Sequence, residues 1–279
     1  MTLFNFLSQR KNRRLRKNYC NALPHTPAPD MPHSPLALTG KAVIDDIDHV
    51  ESHLVALHTP AAFETEQYRM LAQHVEQIHK SQGLRVMAVS SPSMGDGKTT
   101  TIINLAGVLS QTPGMRVLLI ETDLRCPSVS MLLGLDLPRP RNLVDAVVNP
   151  ALALKDVVTW CAPFNFALLP GGQPIASHHE LLASPRLGEL IEEARQQYDC
   201  ILVDTPPMVP FSDCRIVSRW VDGFFVVVTA HKTPRKELEQ ALAVLESHKV
   251  LGLIFNQDDH VAPSSYYADY YKAKSVRLR

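Results

Sequence analysis

A doubly wound α/β fold with a mostly parallel sheet is predicted by three features of this 279-residue sequence. Six short, nearly continuous apolar runs recur between residues 84 and 256, and stretches of helical periodicity separate them. Such runs suit strands covered on both faces, the usual condition of strands in a parallel sheet. Between the first run and the helix after it lies a glycine-containing turn, "SPSMGDGKT", at 91–99. Folds of this class place ligands at that kind of strand-to-helix turn. The length allows one sizeable domain or two small ones, and an apolar content of 45% supports a core.

Taken in order, residues 1–42 read as a flexible tail. "RKNRRLRK" at 10–17 carries six positive charges, and no acid precedes Asp30. The prolines of "LPHTPAPDMPHSP" then keep the chain extended, without a periodic apolar face. A helical lead-in is expected over 43–82. "VIDDIDHVESHLVALH" has helix-like spacing, and "AAFETEQYRMLAQHVEQIHK" is amphipathic, with Phe63, Met70, Leu71 and Val75 near one face. The domain proper spans 83–260. Its strands are expected at 84–90, 116–121, 165–170, 199–205, 223–230 and 250–256. Its main helices are expected in "KTTTIINLAGVLSQ", "HHELLASPRLGELIEEARQQY" and "PRKELEQALAVLESHK". Residues 261–279, with "PSSYYADYYKAKSVRLR", leave the pattern and read as a second flexible tail.

Bulk properties exclude several classes. The formal net charge is zero, and the basic cluster is short and lacks interleaved aromatics, which argues against nucleic-acid binding. Five cysteines, Cys20, Cys126, Cys161, Cys200 and Cys214, are odd in number and form no CxxC pair. That argues against a disulfide framework or a zinc site and for a reducing cytoplasm. No apolar run approaches the roughly 18 residues of a membrane span. The N-terminus is apolar before it is basic, the reverse of a signal peptide. A cytoplasmic chain is expected. Its basic segment would gain about 1 kcal/mol per basic residue on an anionic inner leaflet, and a solvated tail is the equal alternative.

The turn at 91–99 departs from the usual phosphate-loop pattern, because Pro92 stands where a glycine is expected six residues before the lysine. Its context nevertheless fits a phosphate loop, since it follows a strand and opens a helix. Backbone amides from Met94 to Gly97, through Asp96, would hold phosphate oxygens, unobstructed at Gly95 and Gly97. Lys98 would neutralise the β- and γ-phosphates, and Thr99 would offer its hydroxyl to Mg²⁺, with Thr100 completing the loop at the positive helix start. "ILVDTPP" sets Asp204 at one strand end to order the metal or its water, and "VLLIETDLR" sets Glu121 and Asp123 at another. Thr99, Asp204 and Asp123 are the candidate metal ligands. All of these emerge at one carboxyl edge of a parallel sheet, so a nucleotide site is expected.

Together with "LIETDLRCPSV", "ELLASPRLGELI", "VDTPPMVPFSDCRIV", and "FNQDD" followed by "YYADYY", the loop resembles the bacterial tyrosine kinases (BY-kinases) of capsule and exopolysaccharide systems. The resemblance covers roughly residues 55 to 271, and in that family the loop often lacks the early glycine. It implies a P-loop NTPase fold of the wider MinD/ParA group. It also implies ATP-dependent phosphorylation of the chain's own tyrosines Tyr266, Tyr267, Tyr270 and Tyr271. A tyrosine hydroxyl, with a pKa of about 10, benefits from a carboxylate that takes its proton; Glu121 and Asp123 are the candidates. Arg125 is expected at phosphate or substrate, or in a structural ion pair. Asp213 matches a family position and equally suits a helix N-cap, and Asn256 is expected at the purine. The partners implied are a membrane-embedded polysaccharide chain-length regulator (co-polymerase) as a separate chain, a cognate phosphatase, and copies of the chain itself, at the inner face of the plasma membrane.

Two departures stand out. Glu121 replaces the family's usual aspartate, and "EQYRMLA" keeps Glu66 and Arg69 of an E-x-x-R-x-x-R assembly element but has Ala72 in place of its second arginine. Two other readings stay open: a ParA/MinD-like ATPase, although an early loop lysine is absent, and an adaptor that switches a membrane partner by nucleotide occupancy without kinase activity.

Overall fold

All six apolar runs form strands in the computed structural model, which describes residues 2–5, 40–42, 50–135 and 141–258. Three short segments join them, giving β1 (Thr2–Asn5), β2 (Gly40–Ala42), β3 (Val86–Ser90), β4 (Val117–Glu121), β5 (Thr159–Cys161), β6 (Phe166–Leu169), β7 (Cys200–Asp204), β8 (Gly223–Thr229) and β9 (Val250–Asn256). They make one sheet in the order β1-β9-β8-β3-β7-β4-β6-β5-β2. Every pairing is parallel except β5 with β6.

The helices are α1 (Val55–His58), α2 (Phe63–Gln82), α3 (Lys98–Leu109), α4 (Val129–Leu132), α5 (Leu143–Val148), α6 (Leu154–Val157), α7 (His178–Ala183), α8 (Pro185–Gln197), α9 (Asp213–Val217) and α10 (Arg235–Val244). Strand pleating sorts the core into two layers. Met87, Val89, Leu119 and Leu202 face α1 to α4, whereas Val86, Ala88, Leu118 and Val203 face α5 to α10. Adjacent Phe224 and Phe225 of β8 go one to each layer, both fully buried. Each such burial is worth about 1.5–3 kcal/mol.

Local chemistry accounts for the helix boundaries. α2 carries Glu64 and Glu66 in its first turn and His79 and Lys80 in its last, complementing the helix dipole, and it stops at Gly83 in the left-handed region. The single helix expected over 178–198 is two. Pro185 holds Ser184 extended (ψ 132°), so α7 ends there and α8 restarts with the Ser184 hydroxyl accepting from the Arg186 amide. Over 43–58, only Val55–His58 is helical among the described residues. Within the stretch expected as a tail, Thr2–Asn5 pairs with β9 and Gly40–Ala42 with β5, capping the two sheet edges. Edges offer unpaired N–H and C=O groups that short extended segments satisfy. Ala72 is buried in the α2 face that holds Leu71 and Val75, so that position serves the core.

Candidate functional site

β3, β4, β7 and β8 are parallel neighbours, so their carboxyl ends reach one edge together. The loop leaving β3 turns through Gly95 (φ 81°) and Gly97 (φ 94°) and opens α3 at Lys98. These backbone conformations disfavour any residue with a Cβ. At Gly97 a Cβ would also collide with Asn256 Nδ2. Pro92 is explained by its neighbours: the carbonyls of Ser91 and Pro92 accept from the amides of Met208 (2.8 Å) and Val209 (3.2 Å), and nothing there calls on an N–H at position 92. Asp96 pins the middle of the loop. Its Oδ2 accepts from the Ser93 amide (3.0 Å), and its Oδ1 accepts from the Thr229 and Thr233 hydroxyls (both 2.8 Å). Ser93 in turn donates its hydroxyl to Glu237 at the start of α10. The Met94 side chain is exposed, so only its backbone belongs to the cradle.

The expected charged residues converge. Lys98 Nζ donates to Asp123 Oδ2 at 2.8 Å and to Thr99 Oγ1 at 3.2 Å, and Thr99 Oγ1 donates to Asp204 Oδ2 at 3.0 Å. Asp204 is completely buried, and its Oδ1 has no hydrogen-bond partner among the described residues. Burial pushes Asp204 up to about 7; the negative neighbours Glu121 and Asp123 add to the rise, while Lys98 and the Thr99 hydroxyl oppose it. Burial acts to lower Lys98, but the Asp204 and Asp123 carboxylates outweigh it and hold the ammonium above its ordinary value. Two carboxylates, Asp123 and Asp204, thus act on one ammonium. A buried, unpartnered carboxylate oxygen beside a hydroxyl is a hard, anionic donor pair, which fits Mg²⁺. Asp204 and Thr99 would hold the ion. Asp123 would not in this state, since Lys98 occupies its Oδ2 and the Cys126 amide (3.2 Å) its Oδ1.

One expectation needs correction, and other side chains take structural partners. Glu121 is no free base: its buried carboxylate accepts at Oε1 from the Ser128 (2.6 Å) and Val129 (2.7 Å) amides and at Oε2 from the Gly171 amide (2.9 Å). Its extra methylene carries the carboxylate to these backbone donors. Of the two places expected for Arg125, the structure shows the structural ion pair, with buried Asp213 (2.7 Å), the guanidinium lying over the Phe211 ring (3.9 Å). Asn256 braces the loop where a purine contact was expected, donating from Nδ2 to the Asp96 carbonyl (2.9 Å) and accepting at Oδ1 from the Gln257 amide (3.0 Å). Asp213 is the first residue of α9 and serves the Arg125 pair, without capping the helix. Tyr266, Tyr267, Tyr270 and Tyr271 lie outside the described residues. Sequence reasoning missed Ser93, Thr229, Thr233 and Glu237. The only available signal was Thr229, a polar residue closing an apolar strand.

A strand–loop–helix phosphate cradle with a buried lysine–carboxylate cluster defines the chain as a P-loop nucleotide-binding protein of the doubly wound α/β class, and residues 84–242 match the AAA domain family. The sequence is 31% identical over 212 residues to tyrosine-protein kinase YwqD of Bacillus subtilis, covering 74% of this chain and 86% of that protein. It is 35% identical over 212 residues to tyrosine-protein kinase wzc of Salmonella typhi, covering 74% of this chain but 28% of that one. The solved kinase domain of Escherichia coli tyrosine kinase ETK superposes with a TM-score of 0.69 at 26% identity, covering 76% of this chain and 82% of that domain. The chain belongs to the family of bacterial tyrosine-protein kinases.

Proposed function

We propose that this chain is an ATP-dependent protein-tyrosine kinase that phosphorylates its own tyrosines Tyr266, Tyr267, Tyr270 and Tyr271, and so regulates exopolysaccharide or capsule polymerisation or export. The observation that carries this reading is Lys98, held at a phosphate cradle between Asp123 and the Thr99–Asp204 pair. Phosphoryl transfer asks for positioning and charge neutralisation more than covalent help. Amides of 94–97 and the Lys98 ammonium would hold the transferring phosphate, oriented before any ligand arrives. Mg²⁺, held by Thr99 and Asp204, would supply further neutralisation. As Lys98 turns to phosphate it releases Asp123, which then takes the tyrosine proton while the tyrosine oxygen bonds to the γ-phosphorus and the bond to the departing ADP oxygen breaks. Glu121 takes no part in that proton transfer.

A membrane-embedded chain-length regulator as a separate chain, a cognate phosphatase, self-association and a station at the inner membrane face belong to the same proposal. Among the described residues no helix is long and apolar enough to cross a membrane. The test is purified protein with Mg-ATP, with and without the cytoplasmic segment of the regulator, probed for phosphotyrosine and mapped by mass spectrometry. Phosphate on Tyr266 to Tyr271 that vanishes in Lys98→Met is the expected result. ATP binding or hydrolysis with no phosphotyrosine in either condition would leave only a nucleotide-dependent switch.

A further inference from the structure

Glu121 ends β4 in register with Asp204 at the end of β7, inside the site, yet its carboxylate bonds to neither Lys98 nor Thr99. We propose that Glu121 is a positioning residue, whose carboxylate closes the 122–129 loop so that Asp123 is presented to Lys98. The clamp itself stands on geometry alone; its consequence for turnover rests on the kinase reading.

The bonding pattern is that of a clamp. One side chain gathers three backbone amides: those of Ser128 and Val129, seven and eight residues further on, and that of Gly171, just beyond β6. That fills about three of a carboxylate's four acceptor positions. The remaining ties of the loop sit at its beginning or middle. Thr122 donates its amide (2.8 Å) and hydroxyl (2.6 Å) to the Asp204 carbonyl, Asp123 accepts from the Cys126 amide, and Arg125 pairs with Asp213. At the far end Val129 is packed in the core, and Glu121 supplies the side-chain hydrogen bonds that fasten this end of the loop back to β4. Gly171 makes room for the arrangement, because a Cβ there would lie 3.2 Å from Glu121 Cγ and Oε2.

Length decides which residue can do this. An aspartate at 121 would draw the carboxylate back by about 1.5 Å, one carbon–carbon bond. Bonds of 2.6–2.9 Å would open towards 4 Å, beyond hydrogen-bonding range. A glutamine keeps the reach. Its carbonyl oxygen still accepts from Ser128 and Val129, and only the Gly171 bond is lost to an N–H facing an N–H. Clamp and base therefore predict opposite orders. A clamp tolerates Glu121→Gln better than Glu121→Asp, whereas a proton acceptor tolerates Glu121→Asp better than Glu121→Gln.

The experiment compares wild type, E121Q and E121D, each checked for folding by thermal melting, in two measurements. Amide hydrogen exchange of the nucleotide-free proteins should show Ser128 and Val129 exchanging at least about tenfold faster in E121D and within about threefold of wild type in E121Q. Steady-state phosphorylation of a peptide bearing the "SSYYADYYKAK" sequence should show kcat reduced about 10- to 100-fold in E121D and less in E121Q, with KM for ATP within about threefold in both. Unchanged exchange at 128 and 129 in E121D overturns the proposal, as does E121D retaining kcat while E121Q abolishes it. An inactive wild type would instead defeat the kinase reading, and the exchange rates would still decide the clamp.

Discussion

Replacing Asp204 by asparagine removes the most deeply buried charge of the site, and the structure gives the pH dependence that should follow. Asp204 is raised from an ordinary 3.8 to about 7 in the folded protein, by burial first and then by Glu121 and Asp123. Between those two values the folded state binds more protons than the unfolded one, so stability falls as pH rises and levels off above 7. A difference of one pH unit across that window is worth about 1.4 kcal/mol, so roughly 2–3 kcal/mol of this loss should develop between about pH 5 and pH 8.5. In D204N the asparagine carbonyl can still accept from Thr99, while its amide stands unpaired where Oδ1 was, a cost that does not vary with pH. The measurement is urea unfolding of both proteins, without nucleotide or divalent cation, at several pH values. The wild type should lose stability relative to D204N as pH rises, whichever is the more stable at pH 5. A difference that stays flat from pH 5 to 8.5 would mean that the folded environment does not disfavour the Asp204 charge, and the burial reasoning would be refuted.

Two further substitutions probe the scaffold. Gly97→Ala combines a positive φ with a Cβ that collides with Asn256 Nδ2, so it should displace Asn256 from the loop and weaken nucleotide binding at least tenfold by calorimetry, with the melting temperature reduced by several degrees. Arg125→Ala strands the buried Asp213 carboxylate and should cost about 3 kcal/mol in denaturant unfolding. The R125A/D213A double variant should recover part of that loss, and a double variant no better than R125A would mean that the pair is not coupled.

What the sequence made legible is what local pattern can encode. Apolar runs marked the six central strands, and the glycines with Lys98, Thr99 and Asp204 marked the loop and the carboxyl edge. The short strands escaped because three or four residues such as "TWC" carry no period, and because β1 and β2 depend on edges whose existence is a tertiary fact. The partners of Arg125, Asn256 and Glu121 escaped for a related reason, although an ion pair was one of the two places expected for Arg125. Each depends on a partner far along the chain: Asp213 for Arg125, Asp96 for Asn256, and Gly171 for Glu121. Residue type gave the chemistry of each side chain but not its partner. Glu121 is the instructive case, since a carboxylate at a strand end in a nucleotide site reads as chemistry until three backbone amides are found on it.

The charge of the site also bears on how binding and chemistry are coupled. Two carboxylates, Asp123 and Asp204, against one ammonium is a poor arrangement for an anionic nucleotide taken alone, and a good one for a nucleotide that arrives with a divalent cation. The two oxygens of Asp204 divide the task, one holding Thr99 and the other buried with no partner among the described residues. A buried polar atom without a partner costs about 1–3 kcal/mol, a cost that a cation at that position relieves. Lys98 meanwhile is bound to Asp123, the group proposed as proton acceptor, so in this state that carboxylate is occupied. Under the proposed mechanism, Asp123 would become available when phosphate draws Lys98 away. On this reading the Lys98–Asp123 pair would tie base activation to nucleotide occupancy, with the 122–129 loop holding Asp123 where Lys98 can reach it.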